Sequence, residues 1–100
     1  MYIVRDTMYL KFGHFRDAKA LMGTALKDGF MPEAVNGRIL SDFTGHAYRF
    51  ILEQSFNSLA DYEQRLQTAM SEPKWQAWYE QFKTHVERSE REILKEVAFS

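Results

Sequence analysis

Hydrophobic and polar residues alternate along four stretches of the chain, and between them the spacing of apolar residues lengthens to that of a helix. Alternation is typical of strands because successive side chains point to opposite faces of a sheet. It predicts strands over residues 2–10, 34–43, 47–56 and 91–99. Helical spacing predicts one helix from residue 14 or 15 to residue 27, a second over residues 59–71, and a third from residue 73 whose apolar stripe runs to Val86.

Capping and turn residues mark where these elements end. Gly29 stands where the C-terminal cap of the first helix belongs, and Ser58 is placed as the N-cap of the second, with Asp61 three residues later. Pro73 restarts the helical pattern in its first turn. The turn at residues 44–46 joins the second and third strands as a hairpin, and the charged run at residues 87–90 predicts a connection before the fourth strand.

The resulting order, β-α-β-β-α-β, is that of the α+β, ferredoxin-like fold, in which helices cover one face of a four-stranded antiparallel sheet. Alternation assigns to the core face the third-strand residues Tyr48, Phe50, Leu52 and Phe56 and the first-strand residues Val4, Met8 and Leu10. The opposite face is mixed, and it carries Ile3, Arg5, Thr7, Tyr9, Arg49, Ile51, Glu53 and Ser55. An uncovered face with apolar residues marks an interaction site, so we expect a homodimer formed through the sheet faces.

Length, charge and composition exclude several other classes of protein. One hundred residues fit a single domain over residues 1–100, and a net charge of −1 without a basic run argues against a nucleic-acid partner. No cysteine is available for a disulfide or a metal thiolate. The first residues lack a signal-peptide core and no apolar run is long enough to span a membrane, so we expect a cytoplasmic protein without membrane contact.

Several short motifs together resemble one family. They are the first strand from Arg5 to the Lys11-Phe12-Gly13 turn, the Asp42-Phe43-Thr44-Gly45 hairpin, the strand residues Phe50-Ile51-Leu52-Glu53 with Leu59-Ala60-Asp61-Tyr62, and the restart from Met70 to Trp78. Over nearly the whole chain these motifs resemble NIPSNAP-like proteins of the dimeric α/β-barrel superfamily. The resemblance implies a homodimer whose sheets face each other to form a barrel, with a ligand cavity in each subunit. Biochemical function in this group is poorly defined.

Two chemical hypotheses receive little support from the residues. Haem-degrading members of the superfamily carry a first-strand asparagine with a tryptophan and a histidine on the second helix. Here the first strand has no asparagine, and His85 falls a turn or more beyond the ligand position, which Trp78 approximately occupies. Trp75 and Trp78 are better interpreted as core residues. The topology brings His14, His46 and His85 to one rim, but none has metal-ligand spacing, so we expect no metal and no cofactor.

The mixed sheet face is the predicted site, with Arg5, Tyr9, Arg49 and Glu53 as ligand-binding residues. Buried charges there must be paired or must meet a charged ligand, so an Arg–Glu structural network remains an equal alternative. Arg38 and Asp42 join the site if their strand turns its polar residues inward. The leading prediction is a homodimeric small-molecule-binding barrel protein of undefined activity. The alternatives are a cofactor-independent monooxygenase acting on an aromatic or acyl substrate, and a purely structural interaction module.

Overall fold

A computed structural model describes residues 1–29, 31–45 and 48–99 of the chain. Its elements in chain order are β1 (Tyr2–Leu10), α1 (Phe15–Asp28), β2 (Asn36–Ser41), β3 (Arg49–Phe56), α2 (Leu59–Met70), α3 (Pro73–Phe82), a 3₁₀ turn (Lys83–His85) and β4 (Val86–Lys95). This order confirms the predicted α+β, ferredoxin-like fold. Within the described ranges, every helix falls short of the length and apolarity that a membrane crossing requires.

The strands form an antiparallel sheet in the order β2-β3-β1-β4. In its register, Arg5 of β1 lies opposite Glu53 of β3 on one side and Glu92 of β4 on the other. On the other side of β3, Arg38 of β2 lies opposite Glu53. One row across the sheet therefore brings four charged residues together, and their side chains share the face opposite the helices. We call this surface the open face.

The core lies between the other sheet face, which we call the covered face, and the helices. Its main cluster joins strand, α1 and α3 residues: Leu10, Phe50, Ala18, Met22, Ala25, Trp78 and Phe82. A smaller cluster joins Val4 and Phe56 of the sheet to Tyr62 of α2. The assignment of Val4, Leu10, Phe50, Leu52 and Phe56 to a core face is therefore confirmed.

The predicted helix ends are confirmed by their local geometry. Gly29 caps α1 with a positive φ of 71°, which glycine adopts without a Cβ clash, and its N–H donates to the Ala25 carbonyl. The Ser58 hydroxyl accepts a hydrogen bond of 3.0 Å from the Asp61 N–H at the start of α2. Pro73 is the first residue of α3, where a missing N–H costs nothing.

The fourth strand was predicted wrongly at both ends. It begins at Val86 rather than residue 91 and ends at Lys95 rather than residue 99. The charged residues predicted as a connection pair with β1, with Arg88 opposite Tyr9 and Glu90 opposite Thr7. Because β4 is an edge strand with exposed side chains, it accommodates these charges. Val86 is therefore the first residue of β4 and not, as predicted, part of the apolar stripe of α3.

The central hairpin also differs from the prediction in its limits. β2 covers Asn36–Ser41 only, which is shorter than the predicted 34–43. β3 begins at Arg49, because Tyr48 has a positive φ of 63° and lies outside the strand, although its side chain still packs against the main core cluster. Residues 46 and 47, which belong to the predicted turn and strand, lie outside the described residues, as does residue 30.

Candidate functional site

The open face brings the predicted site residues together and joins most of their charges to one another. Glu53 accepts a hydrogen bond of 2.7 Å from Arg5 Nε and one of 2.8 Å from Arg38 Nε. Arg5 also reaches Glu92 through Nη1 at 3.2 Å. Arg38 therefore joins this group, and the result is the Arg–Glu network that the sequence left open as an alternative.

Glu53 is the centre of this network. It is 8% exposed, whereas the side chains of Arg5 and Arg38 are 36% and 68% exposed. The guanidinium groups of Arg38 and Arg5 hold the pKa of Glu53 below its usual value, against the opposing effect of burial. Glu53 is therefore an ionised carboxylate at neutral pH.

Arg49 belongs to a second group and does not join Glu53. Its Nη2 and Nε donate to Asp42 Oδ1 at 2.6 and 2.9 Å, and its N–H donates to Asp42 Oδ2 at 3.1 Å. The hydrogen bonds to Asp42 raise the pKa of Arg49. Arg49 and Glu53 are four residues apart on β3, which separates them by about 13 Å along the strand. Arg49 therefore pairs with Asp42, which lies across from it just after β2.

Tyr9 lies between these groups and the edge strand. Its ring lies under the Arg88 guanidinium, 3.8 Å from ring centre to Cζ, and its hydroxyl reaches Glu90 at 3.5 Å. Thr7 and Ser55 are also on this face, and Thr7 is buried. A depression of about 190 Å³ lies beside Glu53 and Ser55. Ligand binding by Arg5, Tyr9, Arg49 and Glu53 stays a prediction.

A second candidate site lies on the covered face, where the helices leave a cleft beside β4. Its volume is about 180 Å³, and we call it the helix-side cleft. Its walls are mostly apolar and aromatic: Met8, Met22, Met31, Pro32, Leu52, Leu66, Trp75, Trp78, Tyr79 and Phe82. Its polar residues are Asp6, Gln54, Tyr62, Ser89 and Arg91. Apolar walls with a few polar groups are characteristic of small-molecule sites.

The polar residues of the cleft differ in how their bonding groups are used. Arg91 Nε donates to Asp6 Oδ1 at 2.5 Å, and Gln54 Nε2 donates to the Pro32 carbonyl at 2.9 Å, which fixes the rim. Burial acts to lower the pKa of Arg91, but the hydrogen bond and charge of Asp6 raise it on balance. The Tyr62 hydroxyl is buried and makes no hydrogen bond with any residue that the structure describes.

Sequence reasoning overlooked this cleft although one pattern points to it. Asp6 alternates with Val4 and Met8 and therefore lies on the covered face, and Gln54 does the same between Leu52 and Phe56. A charged residue and an amide among core positions are unusual and indicate a polar feature beneath the helices. Arg91 faces the same cleft because it lies opposite Asp6.

His14, His85 and both tryptophans have structural partners. His14 Nδ1 and His85 Nδ1 are 2.9 Å apart and link the start of α1 to the end of the 3₁₀ turn, while His46 lies outside the described residues. No group of three metal-ligating side chains occurs in the described part of the chain. Trp78 is a core residue, as predicted, and its Nε1 donates to the Leu21 carbonyl at 2.6 Å. Trp75 is half-buried and stacks on Tyr79 at 4.9 Å.

Comparison with known proteins supplies the family. A family model described as NIPSNAP matches residues 43–100 of the chain. The chain belongs to the NIPSNAP family. A NIPSNAP domain protein from Burkholderia xenovorans, described as uncharacterized, has a TM-score of 0.89 at 15% identity, with 100% of this chain and 98% of that chain covered. No curated protein sequence matches this NIPSNAP chain.

Two further solved structures show how widely the fold is shared. A NIPSNAP family protein from Agrobacterium tumefaciens, described as having unknown function, has a TM-score of 0.85 at 21% identity, with 100% of this chain and 91% of that chain covered. A putative antibiotic biosynthesis monooxygenase from Nitrosomonas europaea has a TM-score of 0.75 at 13% identity, with 98% and 100% covered. At these identities the likeness shows the fold alone.

Proposed function

We propose that this NIPSNAP-family chain is a homodimeric small-molecule-binding protein whose ligand occupies the helix-side cleft of each protomer. The observation that carries the proposal is the cleft itself, which has stacked aromatic walls and a small polar group at Asp6, Tyr62 and Arg91. An engineered cavity of about 150 Å³ binds benzene, so a cleft of about 180 Å³ accommodates a ligand of similar size.

The dimer is proposed to form through the open faces. Leu40 and Leu94 of this face are 38% and 36% exposed, and burying them is favourable. The charged row balances two arginines, Arg5 and Arg38, with two carboxylates, Glu53 and Glu92, inside one protomer. Because these charges already have partners, covering them with a second copy costs less than burying unpaired charges. The family resemblance implies the same arrangement.

Light scattering tests the dimer, with Leu40→Glu as the disrupting variant. We expect twice the monomer mass for the parent and the monomer mass for Leu40→Glu, because an unpaired carboxylate would be buried at the interface. Leu59→Glu is the control, since Leu59 is 47% exposed at the start of α2, a helix on the covered face of the sheet. A parent protein of monomer mass at micromolar concentration, with a cooperative thermal transition, contradicts the dimer.

A fluorescence screen of small apolar compounds tests the ligand. Both tryptophans of the chain, Trp75 and Trp78, line the cleft, so a bound compound changes their emission. We expect hits whose effect is reduced by Leu66→Phe, whose larger side chain takes up space in the cleft without adding a third tryptophan to the signal. The effect should be retained in Leu59→Phe, at an exposed position on the same helix. Hits that bind both variants alike would place the ligand elsewhere. The monooxygenase alternative is favoured only by the shared fold.

A further inference from the structure

The Tyr62 hydroxyl is a buried polar group whose O–H donor the fold leaves without an acceptor. The residue is 9% exposed, and its oxygen has no hydrogen-bond partner among the described residues. Buried polar groups in native proteins are nearly always satisfied, so each exception needs a reason. Burial raises the pKa of Tyr62, and the hydroxyl therefore stays protonated at neutral pH and is available as a hydrogen-bond donor.

The groups around Tyr62 are rich in donors but balanced in charge. The Arg91 guanidinium lies 6.0 Å from the centre of the Tyr62 ring, donates its Nε–H to Asp6, and also approaches the Tyr62 hydroxyl. Because a guanidinium has only donors, this approach leaves the Tyr62 O–H without an acceptor. Its other N–H groups and the Ser89 hydroxyl add donors around the same cleft. Asp6 and Arg91 form an ion pair with no net charge. An anion entering the cleft would therefore find hydrogen-bond donors but no net positive charge to attract it.

We propose that the helix-side cleft selects an uncharged ligand with a flat apolar body and a carbonyl-type oxygen that accepts a hydrogen bond from the Tyr62 hydroxyl. This inference rests on the proposed function, because it specifies the ligand class of the same cleft. The stacked Trp75 and Tyr79 rings suit a flat body, and the cleft volume suits a body of about one aromatic ring. A carboxylate ligand would lie near the Asp6 carboxylate and is disfavoured.

Contact with Tyr62 requires a small rearrangement. The hydroxyl is closed to water, so a ligand oxygen reaches it only after a neighbouring side chain moves. Arg91 lies on the edge strand and its side chain is 49% exposed, which gives it room to move. The ligand then satisfies a donor that is unsatisfied in the free protein, so Tyr62 contributes to binding while it weakens the unliganded fold.

Three compounds with the same skeleton of non-hydrogen atoms separate the possibilities: acetophenone, isopropylbenzene and benzoate. Each is titrated into ¹⁵N-labelled protein, and the indole N–H signals of Trp75 and Trp78 report binding in the cleft. The variants are Tyr62→Phe and, as matched control, Tyr79→Phe, whose side chain lines the same cleft but is 42% exposed. The urea midpoint of each free variant is measured beside the parent.

The expected result is that the parent binds acetophenone about three- to tenfold more tightly than isopropylbenzene, the range of one net hydrogen bond. Benzoate binds more weakly than acetophenone. Tyr62→Phe reduces the ketone preference to less than about twofold without lowering the urea midpoint, whereas Tyr79→Phe keeps the preference.

Equal binding of ketone and hydrocarbon by the parent, tighter binding of benzoate, or a preference that survives in Tyr62→Phe overturns the inference. In those cases the cleft still binds small molecules, so the proposed function stands. A lower urea midpoint in free Tyr62→Phe overturns it as well, because the hydroxyl would then have a structural role. Failure of all three compounds to shift either indole signal contradicts both the inference and the helix-side cleft as the ligand site.

Discussion

Replacing Glu53 with glutamine removes the negative charge at the centre of the open-face network. Glu53 is almost fully buried and holds two arginines by charged hydrogen bonds of 2.7 and 2.8 Å. Breaking a fully buried ion pair costs about 3–5 kcal/mol, but an exposed pair contributes at most about 1 kcal/mol. Arg5 and Arg38 are partly exposed in the single protomer, and Arg5 keeps Glu92 as a partner, so we expect Glu53→Gln to lower the free energy of unfolding by about 1–3 kcal/mol. Where the proposed dimer covers the open face, the loss rises toward about 3–5 kcal/mol.

Urea denaturation at fixed protein concentration measures this change, since the stability of a dimer depends on concentration. Glu92→Gln is the matched control: Glu92 meets the same Arg5 at 3.2 Å, but its side chain is 54% exposed. We expect the control to lose less than about 1 kcal/mol. A Glu53→Gln loss no larger than that of Glu92→Gln would refute the reasoning that burial makes Glu53 the important carboxylate.

The pH dependence of the same difference checks its electrostatic origin. The pKa of Glu53 is lowered in the folded protein by Arg38 and Arg5, from an unfolded value of about 4.3. Because the pKa of Glu53 is lower in the folded protein, its ionised form stabilises the fold. This stabilisation is complete at pH values above the unfolded-state pKa and is lost as the pH falls through the folded-state pKa. The stability difference between the parent and Glu53→Gln should therefore be constant near neutral pH and shrink below about pH 4.3.

Two further substitutions test the core and the helix cap. Phe56 is 0% exposed, and Phe56→Ala should lower the free energy of unfolding by about 3–5 kcal/mol. Phe99 is 94% exposed, and Phe99→Ala should change that free energy by less than about 0.5 kcal/mol. Equal losses in urea denaturation would contradict the assignment of Phe56 to the core. Ser58→Ala should lower the free energy of unfolding by about 1 kcal/mol in the same measurement, because the hydrogen bond that caps α2 is lost. Ser58→Thr, which keeps a hydroxyl, should retain most of that stability. An unchanged free energy of unfolding in Ser58→Ala would show that the hydrogen bond from Asp61 contributes nothing.

The elements that follow from local signals were predictable from the sequence. The alternation from Tyr2 to Leu10, the glycine after α1 and the serine before α2 each determine structure through nearby residues, and all three are found. The charged run at residues 87–90 gave the wrong prediction because its strand is stabilised by pairing with β1, a distant segment, and not by an apolar face of its own.

The candidate site was predictable only in part. Alternation placed Arg5, Tyr9, Arg49 and Glu53 on one face, but the partner of each charge depends on the register between strands, which no local pattern determines. The helix-side cleft depends on how α2 and α3 lie over β1 and β4. Asp6 and Gln54, two polar residues among the core positions of the covered face, were the available indications of it.

Methionine methyl groups offer the most direct test of a ligand in the helix-side cleft. Of the five methionines, Met8, Met22 and Met31 line the cleft, whereas Met1 and Met70 do not. Protein labelled with ¹³C at the methionine methyl groups is titrated with acetophenone and with hits from the fluorescence screen. A ligand in the helix-side cleft should cause saturable shifts of the Met8, Met22 and Met31 methyl signals and leave those of Met1 and Met70 unchanged. Ligands that shift only Met1 or Met70, or that bind without shifting any cleft methyl group, would contradict the helix-side cleft as the ligand site.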